Sequence, residues 1–291
     1  MARRTDLILT ALAPAIWGST YIVTTELLPD GYPMMVAMLR ALPAGLLLLV
    51  VTRSLPCGIW LARSFLLGAL NFSVFWWLLF VAAYRLPGGV AATVGAVQPL
   101  VVLYLSKLLL DQGIRPAAVI AGIGGLLGVG LLVLTPGAAL DWVGLLAALG
   151  GAISMAFGTV LTRRWQPPVP ALTFTAWQLT AGGLLLLPVA FLVEPALPPL
   201  DTAAVFGFVW LGLIGGAATY FLWFRGIARL DPATVAPLGL LSPVAATLLG
   251  LAILGQTLSA VQTAGMLLVL ASVWFAQRAQ LHAAAPVATR A

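Results

Sequence analysis

The sequence predicts an all-α integral membrane protein in which ten transmembrane helices form two inverted five-helix repeats around a central cavity. Hydrophobic residues make up 62% of the 291 residues and charged residues only 8%, against about 25% charged residues in a soluble domain. Apolar runs of about 20 residues recur, which suits a hydrocarbon core about 30 Å thick. The second half of the chain also repeats the pattern of the first. These observations exclude a soluble globular protein.

Charged or proline-rich breaks divide the apolar sequence into ten spans, and only helices fit them because lipid cannot satisfy an open backbone. Span 1 opens with MARRTDLILTALAPAIWG, which imitates a signal peptide. Its apolar pattern continues to Leu28, so we expect a retained span. In chain order, spans 1 to 10 cover residues 6–28, 33–52, 64–84, 89–109, 116–134, 142–162, 170–192, 202–226, 232–253 and 259–277.

The basic residues fall on alternating ends of these spans. Of the 14, Arg85 lies at the opposite set of ends, Arg40 lies inside span 2, and the other twelve share one side. The positive-inside rule then places both termini in the cytoplasm. The charges sit at helix ends without a dense basic tract, so we expect no nucleic-acid partner. The twelve are Arg3, Arg4, Arg53, Arg63, Lys107, Arg115, Arg163, Arg164, Arg225, Arg229, Arg278 and Arg290.

The two halves of the chain are similar in sequence, which indicates an internal repeat. YRLPGGVAATVGAVQPLVV (84–102) aligns without a gap with ARLDPATVAPLGLLSPVAA (228–246), pairing Arg85 with Arg229. The predicted repeats are residues 1–137 and 138–291, with five spans each. Because five is odd, the second repeat enters the membrane from the opposite side. Inverted repeats are typical of transporters, whose substrate sits near the midplane between the halves.

Several segments resemble the drug/metabolite transporter superfamily, in its ten-helix EamA branch. They are WGSTYIV (17–23), MLRALPAGLLLL (38–49), TAGMLLVLASV (263–273) and the long run from Ala218 to Leu258. Within that branch the chain looks most similar to bacterial YddG-type exporters of aromatic amino acids. The resemblance implies an inner-membrane exporter whose cavity is lined mostly by helices 1, 3, 4, 6, 8 and 9, with helices 5 and 10 at the back. It implies a small-molecule substrate, a lipid bilayer and no cofactor.

The chain departs from this branch before two prolines. Many relatives carry glutamate there, whereas this sequence has Gln98-Pro99 in span 4 and Ser242-Pro243 in span 9. The change removes buried carboxylates that could bind protons. Facilitated diffusion fits this loss, and counter-transport or proton exchange stays open.

Polar groups inside a membrane usually face a cavity or a partner, and deep aromatic rings can stack on a substrate. The same rings can instead pack between helices or form an interfacial belt. Candidate substrate-binding residues are Trp17, Ser19, Thr20, Asn71, Trp76, Gln98, Tyr220 and Ser242.

Four further residues are candidates for structural or gating roles. Gly18 allows close helix approach or a bend. Pro99 and Pro243 are expected to kink their helices and free a carbonyl, for a ligand or only for packing. Arg40 lies about seven residues from the outer end of span 2, roughly 10 Å deep at 1.5 Å per residue. Three roles stay open for it: snorkelling to the outer face, pairing with Glu26 or Asp30, or contacting a substrate carboxylate.

The leading functional hypothesis is a secondary transporter that exports small amphipathic metabolites, most of all aromatic and other neutral amino acids. A drug or other metabolite exporter and a membrane channel are the alternatives. An intramembrane enzyme would need paired catalytic groups at depth, and the only histidine, His282, follows the last span. Small-residue stripes at 121–130 and 144–158 predict close packing, between spans 5 and 10 or at a dimer face, so a monomer and a homodimer both remain possible. No metal site is expected.

Overall fold

The computed structural model describes residues 2–86, 94–133, 141–255 and 257–283, and every regular element in these ranges is helical. Nine of the described helices are long and apolar enough to cross a membrane, and Gln98–Leu110 is a shorter apolar helix. The prediction of an all-α protein with many spans is confirmed. Residues 89–93 of predicted span 4 lie outside the described residues.

Five spans are single helices: span 2 (Pro33–Thr52), span 5 (Pro116–Val133), span 6 (Trp142–Arg164), span 7 (Ala171–Val193) and span 10 (Ala260–Ala283). In the described part of span 4, residues 94–95 are helical, a turn follows at 96–97, and the helix Gln98–Leu110 then begins.

The other four spans change their helical geometry partway. Span 1 contains Ala2–Trp17 and Ser19–Leu27, which meet at Gly18. Span 9 contains Pro232–Val235, a 3₁₀ segment Ala236–Leu240 and Leu241–Leu254. Span 3 contains Ile59–Gly68, a π-helical segment Ala69–Ser73 and Val74–Arg85. Span 8 contains Thr202–Val209, a π-helical segment Trp210–Ala218 and Thr219–Arg229.

The helices pack in pairs that relate the two halves of the chain. Span 2 packs along span 7, and span 5 packs along span 10. Span 1 packs along spans 8 and 9, whereas span 6 packs along spans 3 and 4. Span 8 also contacts span 2, and span 3 contacts span 7. The contact pattern is therefore symmetric between the halves: if spans 1 to 5 are renumbered as spans 6 to 10 and the reverse, the same pairs of spans are in contact.

Glycines hold spans 5 and 10 together at backbone distance. A Cβ at Gly265 would lie 2.5 Å from the Leu132 nitrogen and 2.7 Å from the Gly128 carbonyl oxygen. A Cβ at Gly128 would lie 2.8 Å from the Val269 nitrogen. The small-residue stripe of span 5 therefore packs against span 10 of the same chain, as one of the two alternatives from the sequence predicted.

A carboxylate from the end of span 7 caps span 2. The Met34 and Met35 amides donate to the two carboxylate oxygens of Glu194, at 2.6 and 2.7 Å. The first amides of a helix have no partner within the helix and carry its positive dipole end, so a carboxylate there is stabilising. This bond fixes span 2 against span 7 at the face opposite the termini.

We expect Gly265→Val to lower the thermal unfolding midpoint, because its new side chain meets backbone that cannot move aside. Overpacking of this kind costs about 1–3 kcal/mol. The matched control is Gly113→Val, since a Cβ at Gly113 meets nothing within 4 Å. Thermal aggregation followed by size-exclusion chromatography in detergent measures both variants. Equal midpoints would show that spans 5 and 10 do not pack at this distance.

Candidate substrate site

A cavity of about 160 Å³ lies between spans 3, 4, 6 and 9. Span 4 contributes Gln98 and Pro99, and span 9 contributes Ser242 and Pro243, so the two aligned sequence pairs meet here. Among the described residues that line it, no side chain is ionisable. An apolar cavity of about 150 Å³ can bind benzene. This cavity, which is also partly polar, accommodates a group about the size of one ring.

Local backbone geometry places both polar side chains at the start of a helix. Gln98 and Pro99 open the helix Gln98–Leu110, and Ser242 and Pro243 lie in the first turn of Leu241–Leu254. In a first turn the missing proline amide costs no intrahelical hydrogen bond. The expectation that these prolines kink their helices stays a prediction; the helical geometry changes directly before each proline, beside the cavity.

Other cavity-lining residues were missed by the sequence analysis. Phe75 and Leu79 come from span 3, and Ala148 and Ala152 come from span 6. The signal was present in span 6, whose small residues were interpreted only as a packing stripe. Small side chains also leave room for a cavity.

Six aromatic side chains form a cluster beside the cavity. Within this aromatic cluster the ring centroids of Trp17 and Tyr220 are 4.8 Å apart, and those of Phe72 and Tyr220 are 4.6 Å apart. Tyr220 is only 2% exposed. The rings pack against one another at tilted and edge-on angles, and Trp17, Trp76 and Tyr220 do not line the cavity in this structure. The members are Trp17, Phe72, Trp76, Tyr220, Trp223 and Phe224.

The aromatic cluster and the cavity belong to one continuous core. Phe75 and Leu79 line the cavity and pack against the same core that contains Trp76 and Tyr220. Phe75 directly precedes Trp76 in span 3. A movement of span 3 that rotates this segment would therefore change the cavity and the aromatic cluster together.

A chain of hydrogen bonds ties the aromatic cluster to the π-helical segment of span 8. Trp17 Nε1 donates to Thr219 Oγ1 at 2.8 Å, and that hydroxyl donates to the Gly215 carbonyl at 2.8 Å. Arg40 Nη2 donates to the same carbonyl at 2.8 Å. The Arg40 guanidinium also lies 5.2 Å from the ring centre of Trp76, a cation–π contact that is stronger away from water.

The contacts of Arg40 with the Gly215 carbonyl and Trp76 were not predicted, and its pairing with Glu26 or Asp30 stays a prediction. The guanidinium is buried and directed to the Gly215 carbonyl, whereas Glu26 accepts a hydrogen bond from Thr25 in an exposed position. A backbone carbonyl in a π-helical segment is an acceptor that sequence composition does not reveal.

The remaining polar candidates lie outside the cavity lining. Asn71 is fully buried, and its Nδ2 donates to Gln178 Oε1 at 2.8 Å and to Thr162 Oγ1 at 3.3 Å. These bonds join spans 3, 6 and 7. Ser19 donates to the Ile16 carbonyl at 2.7 Å and accepts from Trp210 Nε1 at 3.0 Å.

Span 1 approaches the cavity through Gly18. A Cβ at Gly18 would lie 2.6 Å from Ala245 Cβ and 2.8 Å from the Ser242 carbonyl oxygen. Glycine therefore lets span 1 contact span 9 beside the Ser242–Pro243 pair, as expected for close helix approach. Thr20, two residues later, is half-buried and is not part of the cavity lining.

Comparison with known proteins identifies one transporter family. The model of the EamA-like transporter family matches the chain twice, at residues 5–134 and 142–277. Protein PecM of Dickeya dadantii is 46% identical over 268 residues, covering 91% of this chain and 90% of that protein. The uncharacterized inner membrane transporter YedA of Escherichia coli is 33% identical, covering 85% and 82%.

Two further matches lie at lower identity. A probable amino-acid metabolite efflux pump of Salmonella typhimurium is 26% identical, covering 93% of this chain and 94% of the pump. A crystal structure with 20% sequence identity superposes with a TM-score of 0.81, covering 94% of this chain and 98% of that chain. At this identity the crystal structure supports the fold alone.

We expect Arg40→Ala to lower the thermal unfolding midpoint in detergent, because it removes the bond to Gly215 and the cation–π contact with Trp76. Loss of a charged hydrogen bond of this kind costs about 1.5–3 kcal/mol. Arg4→Ala is the control, since Arg4 is exposed near the start of span 1. If both variants unfold at the wild-type temperature, Arg40 does not hold spans 2 and 8 together.

Proposed function

The chain belongs to the EamA-like transporter family, and we propose that it exports small neutral amphipathic metabolites, aromatic and other neutral amino acids among them. The observation that carries this proposal is the cavity in which Gln98 and Ser242 meet. An amide and a hydroxyl can hydrogen-bond the polar groups of a zwitterion. The adjoining alanine and phenylalanine side chains suit its apolar part. The printed name of the Salmonella relative, an amino-acid metabolite efflux pump, favours the same substrate class.

The two halves of the chain, 1–137 and 138–291, are proposed to act as inverted repeats. Three observations support this. The family model matches once in each half, and the pattern of helix contacts is symmetric between the halves. Spans 3 and 8, which are equivalent in the two repeats, both contain a π-helical segment. The distribution of basic residues favours cytoplasmic termini. The name of the YedA relative supports the bacterial inner membrane.

Alternating access follows from this arrangement. Gln98 lies in span 4 and Ser242 in span 9, and these spans occupy equivalent positions in the two repeats. Each half therefore supplies one polar side chain to a shared site. Rocking of one half against the other then exposes the site to each membrane face in turn. The aromatic cluster and the substrate interact only when the helices rearrange.

The cavity also bears on the drug-exporter alternative and on the driving force. Drug-sized ligands occupy pockets of about 300–1,000 Å³, and this cavity measures about 160 Å³, which favours small metabolites. The described lining residues are not ionisable, so substrate movement down its own gradient is proposed without proton binding in the cavity.

We expect Gln98→Leu and Ser242→Ala each to slow the efflux of labelled phenylalanine or leucine from proteoliposomes about tenfold, because one hydrogen bond is worth about 1–1.5 kcal/mol. Gln112→Leu is the matched control, since Gln112 follows span 4 and lies outside the cavity lining. If proteoliposomes with the wild-type protein released both amino acids no faster than protein-free vesicles, the proposed substrate class would be overturned.

The proposed facilitator mechanism predicts that a pH gradient drives no net accumulation of a transported amino acid. The same proteoliposomes, loaded with buffers at two pH values, measure this directly. Accumulation above the external concentration, abolished by a protonophore, would demonstrate proton coupling and contradict the mechanism.

A further inference from the structure

A second cavity lies at the membrane face that holds the chain termini. It measures about 480 Å³ and is enclosed by the connection between spans 6 and 7, the start of span 7 and the end of span 8. We call it the vestibule. Its walls combine the rings of Phe221 and Phe224 with the side chains of Arg225 and Arg229. Unlike the central cavity, it therefore has both an apolar and a cationic wall.

The cationic wall carries more positive charge than its acidic partner neutralises. Arg225 Nη2 lies 2.6 Å from Asp6 Oδ1, and Arg229 Nη1 lies 3.3 Å from the same oxygen. Arg163, at the end of span 6, donates to the Ile227 and Ala228 carbonyls at the end of span 8. Asp6 thus faces two guanidinium groups, and the positive charge that it leaves unbalanced favours an additional anion.

Arg225 has hydrogen-bonding capacity beyond its bond to Asp6. Its Nη1 is buried and has no hydrogen-bond partner among the described residues. A buried guanidinium nitrogen without an acceptor is costly, and arginine binds carboxylates through paired parallel bonds. A carboxylate that enters the vestibule supplies the missing acceptor when the Arg225 side chain turns toward it.

The apolar wall continues into the aromatic cluster. Phe224 lines the vestibule, and its ring centre lies 5.7 Å from that of Tyr220 and 6.2 Å from that of Phe72. Tyr220 in turn contacts Trp76, next to the cavity-lining Phe75. A row of ring contacts therefore runs from the vestibule to Trp76, whose sequence neighbour Phe75 lines the central cavity.

We propose that the vestibule is a loading site for a small amphipathic carboxylate, which places its carboxylate on Arg225 and Arg229 and its apolar part on Phe221 and Phe224. This inference rests on the proposed function, because it assigns a first binding step to the transported zwitterion. The carboxylate competes with Asp6 for Arg225. Binding thereby loosens the contact between the start of span 1 and the end of span 8.

The test measures binding of phenylpropionate to the full chain in nanodiscs of phosphatidylcholine by isothermal titration calorimetry. We expect Arg225→Lys to weaken binding at least tenfold, because lysine keeps a charge for Asp6 but loses the paired donors. Ala171→Phe, which fills the vestibule from the first turn of span 7, should abolish binding while leaving the ion pairs intact. Arg164→Lys is the control, since Arg164 is exposed and bonds the Leu109 carbonyl outside the vestibule.

Three outcomes would overturn the proposal. The first is wild-type affinity for phenylpropionate in both vestibule variants, Arg225→Lys and Ala171→Phe. The second is that the wild type binds phenethylamine, which has the opposite charge, as tightly as phenylpropionate. The third is that the wild type does not bind phenylpropionate, while phosphatidylglycerol co-purifies with the wild type and not with the variants. The last would identify a lipid headgroup site. Amino-acid efflux measured on the same wild-type preparation separates the two proposals: efflux without vestibule binding contradicts only the loading site, whereas absence of efflux contradicts the proposed function.

Discussion

Inside a membrane, a backbone carbonyl that leaves the regular helical pattern needs a donor from a neighbouring helix or from a nearby serine or threonine, and this constraint organises the centre of the protein. Spans 3 and 8 both contain π-helical segments. Ser154 donates to the Leu70 carbonyl in the first segment at 2.9 Å. Arg40 and Thr219 donate to the Gly215 carbonyl in the second. Ser154 of span 6 and Arg40 of span 2 are donors from other spans, so their bonds hold spans 6 and 2 against the irregular segments, whereas Thr219 belongs to span 8 itself.

Irregular helical geometry also places polar groups beside the central cavity. A continuous α-helix would bond the amides of its middle internally. In spans 4 and 9 new helical turns begin at Gln98 and Leu241, which brings a polar side chain and a first-turn proline to the cavity from each half. The aromatic cluster lies beside this cavity, and the vestibule lies beyond it at the face with the termini. The described structure therefore has a central cavity lined by uncharged residues and a vestibule with a cationic wall, with ring contacts that run from the vestibule to Trp76.

Sequence reasoning predicted the global features because they depend on composition and repetition. Hydropathy gave the spans, and the aligned prolines led to the cavity residues Gln98 and Ser242. It was less successful with residues whose partners are set by tertiary packing. Asn71 bonds Gln178 rather than facing the cavity, and Tyr220 packs at tilted angles against neighbouring rings. The Glu194 cap went unpredicted because it joins residues about 160 positions apart. Neither the periodicity nor the residue types identify a π-helical segment.

The measurement that tests the central claim most directly is thiol accessibility at Ser242. Cys57 is the only cysteine and is exposed, so a Cys57→Ser background permits Ser242→Cys to be labelled alone. A membrane-impermeant methanethiosulfonate reagent is applied to right-side-out and to inverted vesicles, with and without saturating phenylalanine. A shared site with alternating access predicts labelling from both faces and slower labelling when phenylalanine is present. Labelling from neither face, or a labelling rate that phenylalanine does not change, would contradict the account.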